Sequence, residues 1–421
     1  MTRTIYTGGL VFDGTGVPSY PGEVVVEGNR IAEVRTGHHP DRRESNDQVV
    51  DIAGHTAMPG MIESHAHLTF PSAIGHIDAS FNPPLDVSFF RSIEGFPSEL
   101  ARAERNARIV LDAGFTSAYS AGSLIEMPVE PALRSRIREG AVPGPRFLAA
   151  AAERDNHPQR PDGHVVADWQ GPESCARWVH EKAAQGFDSI KFLVSNDDVF
   201  VPGGSMMTQY TAEELNAAGE AARQENVWLN GHCQSPDSVK LAVKAGFRSI
   251  YHCTYADEEA LDLLESVKDF AFVSPAAGII YANVYEGEEY GITREVATTM
   301  GSVAALEGMQ QIYPEIRKRG IRALIGGDYG FPNNPIGRNA RDLQLFVDYL
   351  GYSPVEALVA ATQHGGQLMG MGDELGLLAA GYLADLLVVK GDPSVDVTLL
   401  QNPDNIAYII QEGAPYKSPA Q

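Results

Sequence analysis

Apolar and polar residues alternate along the first part of the chain. "TIYTGGLVFDG" and "GEVVVEGNRIAEVRTG" change character every residue or two and break at Gly and Asn, the period of half-buried strands. "QVVDIAGHTAMPG" predicts a further strand and turn. The far end repeats the pattern in "GYLADLLVVKGDP" and "NIAYIIQEG". Two β-rich ends around a different middle predict one small β-sandwich domain assembled from residues 1–57 and 373–421.

The middle, residues 58–372, has another rhythm. "SELARAERNARIVLDAGF", "ESCARWVHEKAAQGF", "TAEELNAAGEAARQEN", "SPDSVKLAVKAGF" and "MQQIYPEIRKRG" carry helical periodicity. Each leads into a short strand: "TSAYSAG", "SIKFLVS", "VWLNGHC", "SIYHCTY" and "IRALIGGD". With "GMIESHAHL", "PRFLAAA" and "FAFVSPA", the strands number eight. Helix, short link, β-branched strand and polar end, repeated, predict a (β/α)8 TIM barrel in an α/β fold. "NDDVFVPGGSMMTQYT" and "IIYANVYEGEEYGITREV" are long segments after strands and are expected to be loops or lids over a site.

Composition narrows the class. The chain has 421 residues, 43% of them hydrophobic, enough for a large core. No apolar run approaches the ~18 residues of a membrane span, and the N-terminus lacks a signal peptide's apolar core. A net charge of -23 argues against nucleic-acid and anionic-membrane partners. Three cysteines, Cys175, Cys233 and Cys253, are not a disulfide framework; with apolar neighbours they read as core thiols. A cytoplasmic protein acting on a small molecule is expected.

Barrel sites lie at the C-terminal ends of the strands. There the sequence places His65 and His67, Lys191, His232, His252 and Asp328. Alternate strand residues share a face, so His65 and His67 point together into the barrel. Imidazoles and a carboxylate suit a divalent transition metal. A buried lysine resists charging; a neutral one can capture carbon dioxide and become a bridging carbamate. Two divalent ions with four imidazoles, a carbamate, Asp328 and a bridging hydroxide leave a net charge of about +1, far easier to bury than about +4. Singly, each residue has a structural reading: a core histidine, a salt-bridged lysine, a turn aspartate. Their joint placement at strand ends predicts a binuclear metal centre.

These motifs, with the closing "GYLADLLVVKGDP" and its Asp385, resemble the amidohydrolase superfamily over essentially the whole chain. The lysine, followed by histidines on the next two strands, is similar to the carboxylated-lysine subgroup, with imidazolonepropionase-like and prolidase-like hydrolases, ochratoxinase and phenylurea or molinate hydrolases among its members. The resemblance implies a metal-dependent hydrolase of a C–N bond in an amide, urea, carbamate, N-acyl amino acid or dipeptide-like substrate. His65, His67 and Asp328 would hold one metal, His232 and His252 the other, and carboxylated Lys191 would bridge them. Zinc is the first expectation, with manganese, cobalt or iron as alternatives. Asp328 would also carry the proton from the attacking hydroxide to the leaving nitrogen. A homo-oligomer is implied. The alternative is a deaminase or cyclic-amide hydrolase of the imidazolonepropionase type with a single metal, in which Lys191 is an ordinary lysine.

Two departures stand out: Glu63 precedes the first ligands in "ESHAH", and "GGDYG" puts Tyr329 next to Asp328. His164 resembles the subgroup's substrate-contacting histidine and is a candidate catalytic and binding residue. Tyr119 ends the second strand, facing either site or core, and Tyr281 lies in the lid-like segment. Arg338 pairs either with a substrate carboxylate or with a surface acid. The Phe- and Pro-rich stretch after the first strand is expected to form an apolar wall or a subunit interface.

Overall fold

The computed structural model describes residues 3–80, 95–157 and 167–419. They fall into two compact units: Met1–Glu63, Val110–Ala118 and Asn339–Gln421 in one, Ser64–Ile109 and Tyr119–Arg338 in the other.

Alternating apolar residues build the first unit into a nine-stranded sheet drawn from both chain ends. The join is antiparallel pairing of Leu386–Lys390 with His55–Pro59, with Val388 opposite Ala57. On one side Leu386–Lys390 continues to Ile406–Gln411 and Ala414–Lys417; on the other, His55–Pro59 continues to the N-terminal strands. Val24 and Val26, and likewise Leu386 and Val388, stand two residues apart and are buried in one cluster with Ala57 and Ile410. Burial of each large aliphatic side chain is worth about 1.5–3 kcal/mol, which makes the period of two decisive for register. The same unit contains the helices Arg341–Tyr349, Pro354–Ala361 and Gln363–Leu368.

The second unit carries most of a parallel α/β series. The strands Met61–Ala66, Phe115–Ser120 and Arg146–Leu148 form one three-stranded sheet. Ser189–Leu193, Trp228–Cys233, Ser249–His252 and Phe272–Ser274 form a parallel four-stranded one. Parallel bridges Ala150–Ser189 and Arg154–Phe192 connect the two, and Val273–Ala323 adds an eighth segment. This is the chain-order succession of a (β/α)8 barrel. The eighth segment is a bridge rather than a full strand, because Gly326 (φ 147°) and Asp328 (φ 57°) turn the chain at its end.

Sharp helix ends deliver the chain to these strands. Thr211 caps the helix Ala212–Glu225 in a reciprocal box with Glu214, and left-handed Asn226 ends it two residues before Trp228. Ser235 caps Pro236–Ala245, and Gly246 (φ 84°) closes it before the next strand. One expectation needs correction. The segment read as a loop from Ile279 onward is helical over Ala277–Tyr285 and again over Arg294–Thr299. Gly278 falls in the first turn, where it does not break the helix, and Ile279, Ala282 and Val284 are buried. The other long segment, 196–211, is irregular apart from a single 3-10 turn at Gly204–Met206. No helix among the described residues is long and apolar enough to cross a membrane.

Candidate metal centre

The centre lies within the second unit. His65 and His67 come from the first barrel strand and are 1% and 2% exposed. Lys191, from the fourth, is equally buried at 2%; His232 and His252 end the next two strands. His67, Lys191, His232, His252 and Asp328 line one cavity, and the His65 ring stands 5.1 Å from that of His67 and 5.7 Å from that of His252. The rings of His232 and His252 are 4.3 Å apart. The predicted ligands are thus one cluster.

Asp328 Oδ1 lies 3.1 Å from His67 Nε2, and Oδ2 lies 4.0 Å from His65 Nε2. The ligand atoms of these three residues lie within 4.8 Å of one another. Donors sharing one ion at about 2.0–2.2 Å must stand about 3–4 Å apart, so this trio fits a divalent metal. Two backbone positions support the fit. His252 (φ 74°) and Asp328 (φ 57°) both adopt the left-handed region, costing about 1–3 kcal/mol each in a non-glycine residue. The rest of the barrel holds both there with their side chains in the cluster. His252 Nε2 is buried with no hydrogen-bond partner among the described residues, a donor set up for a ligand outside the protein.

Electrostatics keeps the donors in ligand form. Burial holds His65 and His232 well below the usual histidine value and brings His252 to about 4, so these rings are neutral at pH 7. Burial also opposes charge on His67, but its contact with Asp328 outweighs this and raises it. Asp328 feels the reverse. Burial favours its neutral form, yet its electrostatic interaction with His65 and its hydrogen bond with His67 hold the carboxyl well below the usual range. His67 Nδ1 donates to the Gly122 carbonyl at 2.7 Å, which leaves Nε2 to face the site. Phe70 stacks on the His67 ring at 4.1 Å and Tyr251 on that of His65 at 4.0 Å. Lys191 Nζ sits 4.8 Å over the Tyr251 ring.

Three residues absent from the sequence reading belong to the same cavity. Glu153 Oε1 is 3.5 Å from Lys191 Nζ and 4.0 Å from His67 Nε2. Asp197 Oδ2 is 3.5 Å from His232 Nε2 and accepts from Gln234 Nε2 at 2.8 Å; that amide is 3.2 Å from His232 Nε2. Burial pushes the Asp197 carboxyl up to about 6. The strand-end rule itself points to them: Glu153 closes "FLAAAAE", and Asp197 follows "SIKFLVSN".

The secondary candidates are dispersed. His164 lies outside the described residues. Tyr119 is buried, its hydroxyl donating to Asn230 Oδ1 at 2.7 Å. Tyr281 lies on the Ala277–Tyr285 helix with its ring 4.8 Å from that of Tyr285. Tyr329 is buried beside Asp328 in sequence but is not among the described residues lining the cavity. Arg338 pairs with Glu286 at 3.0 Å and lines a second cavity with Tyr285 and Tyr290. Glu63 is fully buried and accepts from Asn339 Nδ2 at 2.7 Å, a structural contact. Only part of the Phe- and Pro-rich stretch is described; residues 81–94 lie outside it.

Comparison with known proteins agrees with this geometry. The profile of the amidohydrolase family matches residues 56–415. Ochratoxinase of Aspergillus niger is 24% identical over 99% of this chain and 87% of its own length. Imidazolonepropionase of Rubrobacter xylanophilus is 24% identical over 93% of this chain and 90% of its own. Among solved structures, a Xaa-Pro dipeptidase with bound methionine in its active site superposes with a TM-score of 0.80 at 24% identity, covering 99% of this chain and all of that one.

Proposed function

The chain belongs to the amidohydrolase family and is a hydrolase acting on carbon–nitrogen bonds; from that premise we propose that it works with two divalent ions, zinc first, held by His65, His67, Lys191, His232, His252 and Asp328. The substrate class is an amide, urea, carbamate, N-acyl amino acid or dipeptide-like molecule. The observation that carries the reading is the His65, His67 and Asp328 trio, whose ligand atoms lie within 4.8 Å of one another. His65, His67 and Asp328 would hold one ion and His232 and His252 the second. Lys191, buried at the same cavity, would bridge the pair once carboxylated by carbon dioxide. A single-metal, cyclic-amide reading leaves that buried lysine only its contacts with Glu153 and the Tyr251 ring and is not favoured.

When bound, the ions supply a water activated at neutral pH and polarise the scissile carbonyl. The chain's own groups do the rest. Asp328, ionised and open to the cavity, accepts the proton of the attacking water and returns it to the leaving nitrogen. Gly122 holds the His67 ring in place. Phe70, Leu193 and Phe331 line the same cavity and keep apolar parts of a substrate from water. His164 is proposed as a substrate contact; Tyr119, Tyr281, Tyr329 and Arg338 are not among the described residues lining the cavity and take no part in the proposal. A cytoplasmic, homo-oligomeric enzyme, with a β-sandwich from residues 1–57 and 373–421 and a barrel from residues 58–372, completes the proposal; the three free, buried cysteines support the compartment.

Metal analysis of the purified protein, followed by a screen of amides, ureas, carbamates and dipeptides, tests this reading. Two divalent ions per chain are expected, with activity lost on chelation and restored by zinc, manganese or cobalt. Less than one ion per chain would overturn it.

A further inference from the structure

The cavity in front of the metal ligands has a one-sided charge. Apart from Asp328, its acidic lining residues are Glu153, Asp197 and Asp198. Among the described residues that line it, Lys191 is the only lysine or arginine, and it is assigned to the metals above. Arg338, the cation that the sequence offered to a substrate carboxylate, pairs with Glu286 and lines a different cavity. The remaining lining is largely apolar, with Leu124, Leu193, Ile279, Met300 and Phe331 among it.

Resting on the binuclear hydrolase reading, the balance can be followed further. The loaded metal core carries about +1. Glu153, Asp197 and Asp198 face that core across the same cavity, so its lining adds acidic groups and no compensating lysine or arginine among the described residues. A substrate carboxylate next to the scissile bond would enter a low-dielectric, acid-lined pocket, with no guanidinium among the described lining residues to receive it. An uncharged aryl or alkyl group meets the apolar wall instead.

We propose that this site selects uncharged aryl- or alkyl-bearing amides, ureas and carbamates, and discriminates against N-acyl amino acids and dipeptides, whose leaving amine carries a free carboxylate. Asp198 is the residue best placed to show it. It lines the cavity outside the ligand set, and its Oδ1 accepts from Gly203 N at 2.5 Å, a bond that the isosteric Asn can keep.

The test uses a matched pair on the zinc-loaded full chain: N-phenylacetyl-phenethylamine, and N-phenylacetyl-phenylalanine, which differs by one carboxylate. The neutral amide is expected to have at least about a tenfold higher kcat/KM, and Asp198→Asn should narrow that ratio by about threefold or more through the carboxylated substrate, with the thermal midpoint unchanged. Equal or reversed preference overturns the proposal, and so does a ratio unmoved in Asp198→Asn. If neither compound is hydrolysed, calorimetric titration of the same two intact compounds decides the inference separately from the reaction class. Tighter binding of the neutral one sustains it; equal or tighter binding of the carboxylate refutes it.

Discussion

Asp328 Oδ1 stands 3.1 Å from His67 Nε2, and the two residues arrive from opposite ends of the barrel series, the first strand and the turn after the eighth segment. In Asp328→Asn the side-chain shape survives and the charge does not. Turnover should fall by about 10³-fold or more, because one carboxylate serves as ligand and proton carrier. Metal analysis should show at least one ion lost, with the circular dichroism spectrum unchanged. A variant retaining more than a tenth of wild-type activity would remove Asp328 from the chemistry.

Lys191→Ala should lose the second ion and about 10³-fold in kcat. In wild-type protein supplied with labelled bicarbonate, a carbamate carbon resonance is expected, and it should vanish in the variant. A bare amine in fully active enzyme would rule out the bridge.

Gly122 has φ 124°, a region nearly reserved for glycine, and a Cβ there would stand 2.9 Å from Glu153 Cγ and 3.0 Å from Lys191 Cγ. Gly122→Ala should cost about 1–3 kcal/mol in denaturant unfolding and displace both side chains. A larger proportional loss in metal affinity than in Ser123→Ala, on the neighbouring residue, is expected by titration.

Glu130 is fully buried; burial raises its carboxyl to about 7, although the Ala150 N–H donates to Oε2 at 2.8 Å. Between the ordinary carboxyl value and about 7, the folded protein holds a proton that the unfolded chain has released. Stability is therefore lost as pH rises through this window, by about 3 kcal/mol in all. Glu130→Gln keeps an acceptor for Ala150 and cannot ionise, so its thermal midpoint should decline less than the wild type's between pH 5 and about 8. Parallel decline of both curves would show that Glu130 does not titrate there.

The histidines and the lysine of the ligand set are legible because strand geometry writes them into local spacing. His65 and His67 follow from a period of two, Lys191 lies within the apolar strand Ser189–Leu193, and His232 and His252 close the next two strands. Glu153 and Asp197 were not read as part of the site, since each is an acidic residue just past a strand with no partner nearby in sequence; only the packing of neighbouring strands brings them to Lys191 and His232. The helix Ala277–Tyr285 was misread for a related reason. Its residues are apolar on nearly every side, so no amphipathic period marks it, and tertiary burial decides its conformation.

The group that orients His67 is the carbonyl of Gly122, and so belongs to the backbone. Every residue type carries a carbonyl, so no substitution at that position deletes the acceptor; only a rerouted chain could. Sequence drift can therefore rework the walls of this cavity while the tautomer of its first histidine is passed on with the path of the chain.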